Sequence, residues 1–137
     1  MKTRIEDIAT IIAAAIWADN VYDEAEKITV EEIADALDLN EVAFKKAVDA
    51  QVKALSKMSD NHANAALMDA AEAVADEEIG IVYEAAMQML LADGELSASE
   101  VSNLLVVANA LGIEEEMAIL LLADMVKSEP ELEINLK

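Results

Sequence analysis

The chain of 137 residues contains no cysteine, which excludes disulfides, thiolate metal sites and cysteine nucleophiles together. Its single histidine, His62, excludes imidazole-rich zinc or iron centres and leaves the serines without a base at any plausible spacing. His62 itself follows the polar residues Ser59, Asp60 and Asn61 and reads as a solvated helix-start residue. With three glycines and one proline there is no glycine-rich phosphate loop. No apolar run reaches spanning length either: the longest, residues 8–18, is too short for a bilayer and follows Glu6 and Asp7, so a cytoplasmic location is expected. Positive charge is scarce, with 9 basic against 29 acidic residues and a formal net charge of −20. Such a field repels nucleic acid and anionic membranes, attracts cations and basic protein patches, and also serves solubility.

What remains is 55% hydrophobic, and alanine, leucine and methionine supply the excess over an ordinary soluble domain. All three are good helix formers, so the expected class is all-α, with one core at this length. The methionines Met68, Met87, Met89, Met117 and Met125 fall on apolar helix faces and read as packing residues.

An internal repeat organises the chain. The stretch AAAIWADNVYDEAEKITVEEIADALDLNE lies over MQMLLADGELSASEVSNLLVVANALGIEE without a gap, at a constant offset of 74 residues. Asp19 matches Asp93, Glu26 matches Glu100 and Leu37 matches Leu111, while Val30 with Leu104 and Ile33 with Val107 keep the apolar pattern. Each copy, about residues 5–40 and 79–115, reads as a helix, a tight polar loop and a second helix.

In the second copy Asp93 and Gly94 turn the chain, and Ser97 with Glu100 forms a capping box; Asp23 and Glu26 can do the same in the first. Gly112 suits a left-handed helix end, and Asp38 occupies the matching place less comfortably. Between the copies, Asn40 caps a helix over 41–57 whose apolar side carries Val42, Phe44, Val48 and Leu55. After a break at 58–61, a helix over 63–75 turns Leu67, Met68, Ala71 and Val74 inward, and Asp76 caps the next. The last helix, 114–127, carries the apolar run 117–126 and is expected at the centre of the core; an acidic tail over 129–137, frayed behind Pro130, follows a domain spanning 1–128. The sum is a compact bundle of about seven helices with an internal pseudo-twofold repeat.

Polar residues recur at fixed spacing only in the two loops. Against the calcium-loop pattern D-x-[DN]-x-[DN]-G-x5-E, Asp93, Gly94, Ser97 and Glu100 take the fifth, sixth, ninth and twelfth places, while Met89 and Leu91 stand in the first and third, where oxygen ligands are needed. The first copy aligns Asp19, Asn20, Asp23 and Glu26, with Ala15 and Trp17 in the ligand-free places. Half a cage per loop remains, in which Asp93, Glu95, Ser97 and Glu100, or Asp19, Asp23 and Glu26, would hold calcium or magnesium weakly with water completing the shell. The same residues also serve as loop and helix caps.

The residues ADGELSASE and the following VSNLLVVANALGI resemble the tellurite-resistance TerB-like family, whose hallmark A-D-G-x-[hydrophobic]-x-x-x-E loop occurs twice between helices. The resemblance runs over about residues 5–126, and the first copy departs from it at Asn20, which replaces glycine. It implies a bundle of about seven helices, metal-binding acidic loops with Asp19, Glu26, Asp93 and Glu100 as the acidic pairs, and a role in resistance to metal or oxyanion stress, phage or colicins, often through membrane-associated complexes. The reading is a non-enzymatic stress-response domain with protein partners and a homodimer covering part of its apolar surface. The alternative is an acidic protein-interaction module, a nucleic-acid mimic without metal. A paired-carboxylate hydrolase would need a carboxyl in an apolar cleft, whereas these acids are expected on exposed loops.

Overall fold

The computed structural model describes residues 2–16, 24–92, 95–128 and 133–135. Within them the chain forms seven α-helices: α1 (Ile5–Ile16), α2 (Glu24–Ala36), α3 (Glu41–Ser56), α4 (Asp60–Glu72), α5 (Ile79–Leu90), α6 (Ala98–Ala110) and α7 (Glu115–Lys127). They pack as a compact all-helical bundle. None of these helices is long and apolar enough to cross a membrane.

Helix α1 is apolar on every face and occupies the centre, with every residue from Ile8 to Ile16 buried against α3, α4, α5 and α6. The remaining core comes from one stripe of each neighbour: Val30 and Ile33 of α2, Phe44, Val48 and Leu55 of α3, Leu67 of α4, Val82, Tyr83 and Met89 of α5, and Leu104 and Val107 of α6. Helix α1 packs on α5 and α6, while α2 packs on α5, so each second helix of a copy meets the first helix of the other.

The helix ends follow local chemistry. The Asn40 side chain accepts from the Ala43 amide at 2.9 Å and starts α3, and Ser59 does the same for α4 from the His62 amide at 3.3 Å. His62 is exposed at that helix start. Helices α2 and α6 end alike: Asp38 and Gly112 are left-handed, with φ of 57° and 78°. Beyond them the Leu39 amide donates to the Ala34 carbonyl at 2.8 Å and the Ile113 amide to the Ala108 carbonyl at 2.9 Å, the long bond of a Schellman end.

Four sequence expectations are corrected. Helix α7 is peripheral: it buries only Ala118 and Leu122, and leaves Met117, Ile119 and Leu120 exposed. Its apolar run has no phase, so periodicity could not show that one narrow stripe alone meets the bundle. Val42, Met68 and Met117 are likewise exposed rather than packed, whereas Met87 and Met89 are buried. Asp76 makes no cap; it opens a single 3-10 turn, Asp76–Glu78, that leads into α5. Within the tail expected to fray, β2 (Glu133–Asn135) pairs in parallel with β1 (Glu95–Ser97), placing Glu133 beside Glu95 and Asn135 beside Ser97.

Candidate functional site

The acidic loops join α1 to α2 and α5 to α6. Asp19, Asp23 and Asp93 lie outside the described residues, as do Trp17, Asn20, Tyr22 and Gly94, and of Glu95 only the backbone in β1 is described.

Around the second loop the capping box is complete. The Glu100 amide donates to Ser97 Oγ at 3.2 Å, and the Ser97 amide donates to Glu100 Oε1 at 3.0 Å. The Ser97 hydroxyl adds a second donor to the same oxygen at 3.0 Å and lies 3.1 Å from Ser99 Oγ. Glu100 Oε1 is thus used by the helix start.

Glu100 and its counterpart Glu26 are each only 6% exposed. For these two acids this overturns the expectation of exposed loop carboxylates: each stands in the first turn of a helix whose next inward residue, Val30 or Leu104, is fully buried, and the apolar stripe carries the carboxylate inward with it. Burying a carboxylate is costly unless hydrogen bonds or a cation compensate it.

The residues flanking the two loops converge at one end of the bundle. Asn103, one turn into α6, donates its side-chain amide to the Ala14 carbonyl at 2.9 Å and so satisfies an orphan carbonyl at the end of α1, two residues before the first loop. On the other side, Thr29 and Glu32 of α2 share a cleft of about 520 Å³ with Gln88, Leu91 and Ala92, where α5 gives way to the second loop. Thr29 and Gln88 stand 74 residues from Asn103 and Ala14, the offset of the sequence repeat. Among the described residues alone, no three acidic or histidine side chains are grouped to hold a metal.

A third buried carboxylate, Glu78, gave no signal in the sequence. Its Oε1 accepts from the Thr3 amide at 2.8 Å and the Thr3 hydroxyl at 2.5 Å, and its Oε2 from the Lys2 amide at 2.9 Å. Thr3 Oγ1 also accepts from the Ala75 amide at 3.0 Å, and Lys2 pairs with Glu77 at 2.5 Å, so the first residues are clamped to the turn before α5. The bonds from Thr3 and from the Lys2 amide hold the Glu78 carboxyl below its ordinary range despite burial, and Lys2 does so for Glu77. Tyr83 donates its hydroxyl to the Ala118 carbonyl at 3.1 Å, fixing α7 to α5, and burial pushes its pKa up to about 12. Both contacts hold the fold together, one tying the first residues to the turn before α5 and the other tying α7 to α5.

Comparison with protein-family models, with curated proteins and with solved structures gives no match for this chain.

Proposed function

We propose that the chain is a non-enzymatic, cytoplasmic stress-response domain of the tellurite-resistance TerB-like kind, whose two acidic loops take a divalent cation, calcium or magnesium, weakly, and which acts through protein partners, including membrane-associated complexes. The observation that carries this reading is the convergence of both loop flanks at one end of the bundle, with Glu26 and Glu100 buried at matching positions beneath them. A cation held between the two loops would draw on both half-cages, Asp19 and Asp23 from one copy and Asp93 and Glu95 from the other, where each loop alone supplies too few ligands. The pseudo-twofold repeat that this reading needs is supported by the equivalent left-handed helix ends at Asp38 and Gly112 and by the reciprocal packing of α1 with α6 and α2 with α5.

Ligand binding to the folded state raises stability by mass action, by about 1.4–2.7 kcal/mol when the cation stands at roughly 10–100 times its dissociation constant. Melting of chelator-treated protein with and without millimolar calcium or magnesium should therefore show a rise in Tm that sodium at equal ionic strength does not reproduce. An equal rise with sodium would leave only screening of the acidic surface.

Exposed Met117, Ile119 and Leu120 on α7 favour a second reading, an acidic protein-interaction module that covers this helix with a partner or a second copy. Sedimentation equilibrium of the chain and of Leu120→Glu separates the cases: a dimer abolished by the substitution supports self-association through α7, and a monomer in both excludes it.

A further inference from the structure

Helix α5 and the 3-10 turn before it present an outward stripe of exposed residues, Glu77, Ile81, Glu84 and Gln88. Three clefts open along it, of about 520, 480 and 230 Å³, and Glu84 lines all of them. They form one trough with α5 as its floor, α2 as one wall and α7 as the other. Apolar side chains stand on both walls among the polar ones, Ile28 and Ile33 on α2 and Leu121 and Met125 on α7, with Ile81 between them on the floor. Ile28 and Ile81 are 53% and 46% exposed, far more than a bundle without a partner requires of isoleucine. At Gly80 the floor is bare backbone, and a Cβ there would meet nothing within 4 Å.

The charges in the trough have one sign. Glu32, Glu77, Glu84 and Asp124 line it, and among the described residues no lysine or arginine does. A second copy of this chain is a poor occupant, because a symmetric contact would set these carboxylates against one another and bring together two chains of net charge −20. We infer that the trough between α2, α5 and α7 receives a basic amphipathic helix of a partner protein, its apolar side chains on Ile28, Ile81, Leu121 and Met125 and its lysines or arginines on Glu32, Glu84 and Asp124. The floor along α5, Ile79–Leu90, is about 18 Å long at 1.5 Å per residue, the length of a helix of about three turns. The flexible side chain of Met125 suits the wall of such a groove, because it repacks around different apolar anchors. This inference rests on the protein-interaction reading and is independent of cation binding.

The test is binding of a synthetic peptide of about 14 residues with leucines at helix positions i, i+3, i+4 and i+7 and lysines elsewhere, against the same peptide with glutamates for lysines. Fluorescence anisotropy is read on the full chain, on Ile81→Asp and Glu84→Lys in the trough, and on Val42→Asp of α3 and Asp69→Lys of α4 outside it. All four positions are exposed, so the variants should keep the fold, and circular dichroism checks that they do. The lysine peptide should bind the full chain, each trough variant should weaken it at least about tenfold, a change of about 1.4 kcal/mol, and each outside variant less than about twofold. The glutamate peptide should not bind. Equal weakening by Asp69→Lys, or loss of all binding by about 0.5 M salt with no effect of Ile81→Asp, would reduce the interaction to adhesion on an acidic surface and overturn the inference. No binding of the lysine peptide overturns it as well, and so does a dimer, seen by sedimentation, that Ile81→Asp dissolves, since the occupant is then a second copy. A dimer that persists in Ile81→Asp but not in Leu120→Glu, together with trough-dependent peptide binding, upholds it beside self-association through α7.

Discussion

Replacing Gly112 by alanine isolates the conformational cost of a left-handed helix end. No atom lies within 4 Å of where its Cβ would stand, so the substitution meets no clash, and φ of 78° is the whole difficulty. That conformation costs an L-residue roughly 1–2 kcal/mol. Alanine recovers about 0.4–1 kcal/mol by restricting the unfolded chain. The net expectation is a loss of about 1 kcal/mol. Asp38 is the converse experiment, a side chain already held at φ of 57° at the equivalent end of α2. Its carboxylate also faces the negative end of that helix, an interaction worth about 0.3–1 kcal/mol against the fold. Asp38→Gly should therefore stabilise by about 0.5–1 kcal/mol, and Asp38→Asn, which removes the charge but keeps a residue tolerant of the conformation, by about half of that. Urea denaturation followed by circular dichroism reads each change as a shifted midpoint with an unchanged slope. A neutral Gly112→Ala, or an Asp38→Gly that loses stability, would refute the reasoning.

Two further expectations concern the buried polar contacts. Thr3→Val leaves the Ala75 amide without its acceptor and removes one of the three donors to Glu78, and should cost about 1–3 kcal/mol at neutral pH. Because the folded Glu78 carboxyl titrates below its ordinary 4.5, the clamp contributes fully above that pH and is lost as pH falls below it. The stability curves of the chain and of Thr3→Val should thus converge in acid, and a constant gap would contradict the assignment. For Tyr83 the sign reverses: its folded pKa is raised from 10.0 to about 12, so its contribution is complete below pH 10.0 and lost as pH rises through about 12. In a Tyr22→Phe variant, absorbance titration of the one remaining tyrosine should show tyrosinate forming near 12, and formation near 10.0 in the folded protein would show that the ring is not sequestered.

The sequence was legible where structure is local. Asn40, the Ser97 and Glu100 box, Gly112 and even the strained Asp38 announced helix ends that hydrogen bonds within a few residues enforce. It failed where distant packing decides. The apolar runs of α1 and α7 look alike in composition, yet one is central and the other peripheral, because position in the bundle depends on which neighbours exist and not on the run itself. The Glu78 clamp joins residues 75 apart, with no pattern in either segment to suggest it. The burial of Glu26 and Glu100 was half legible: the capping box foretold a carboxylate folded back on its helix, but not that the stripe beneath would carry it into the core.

The central claim, that the paired acidic loops form a cation site, is tested most directly by calorimetric titration of chelator-treated protein with calcium, magnesium, manganese and zinc, beside an Asp19→Asn, Asp93→Asn double variant. Calcium or magnesium should bind, with a dissociation constant on the order of 10⁻⁴–10⁻³ M as for sites with few fixed ligands, and binding should be lost in the double variant. Equal heats in both proteins, or none in either, would reduce the loop aspartates to helix caps and leave protein interaction as the function of this domain.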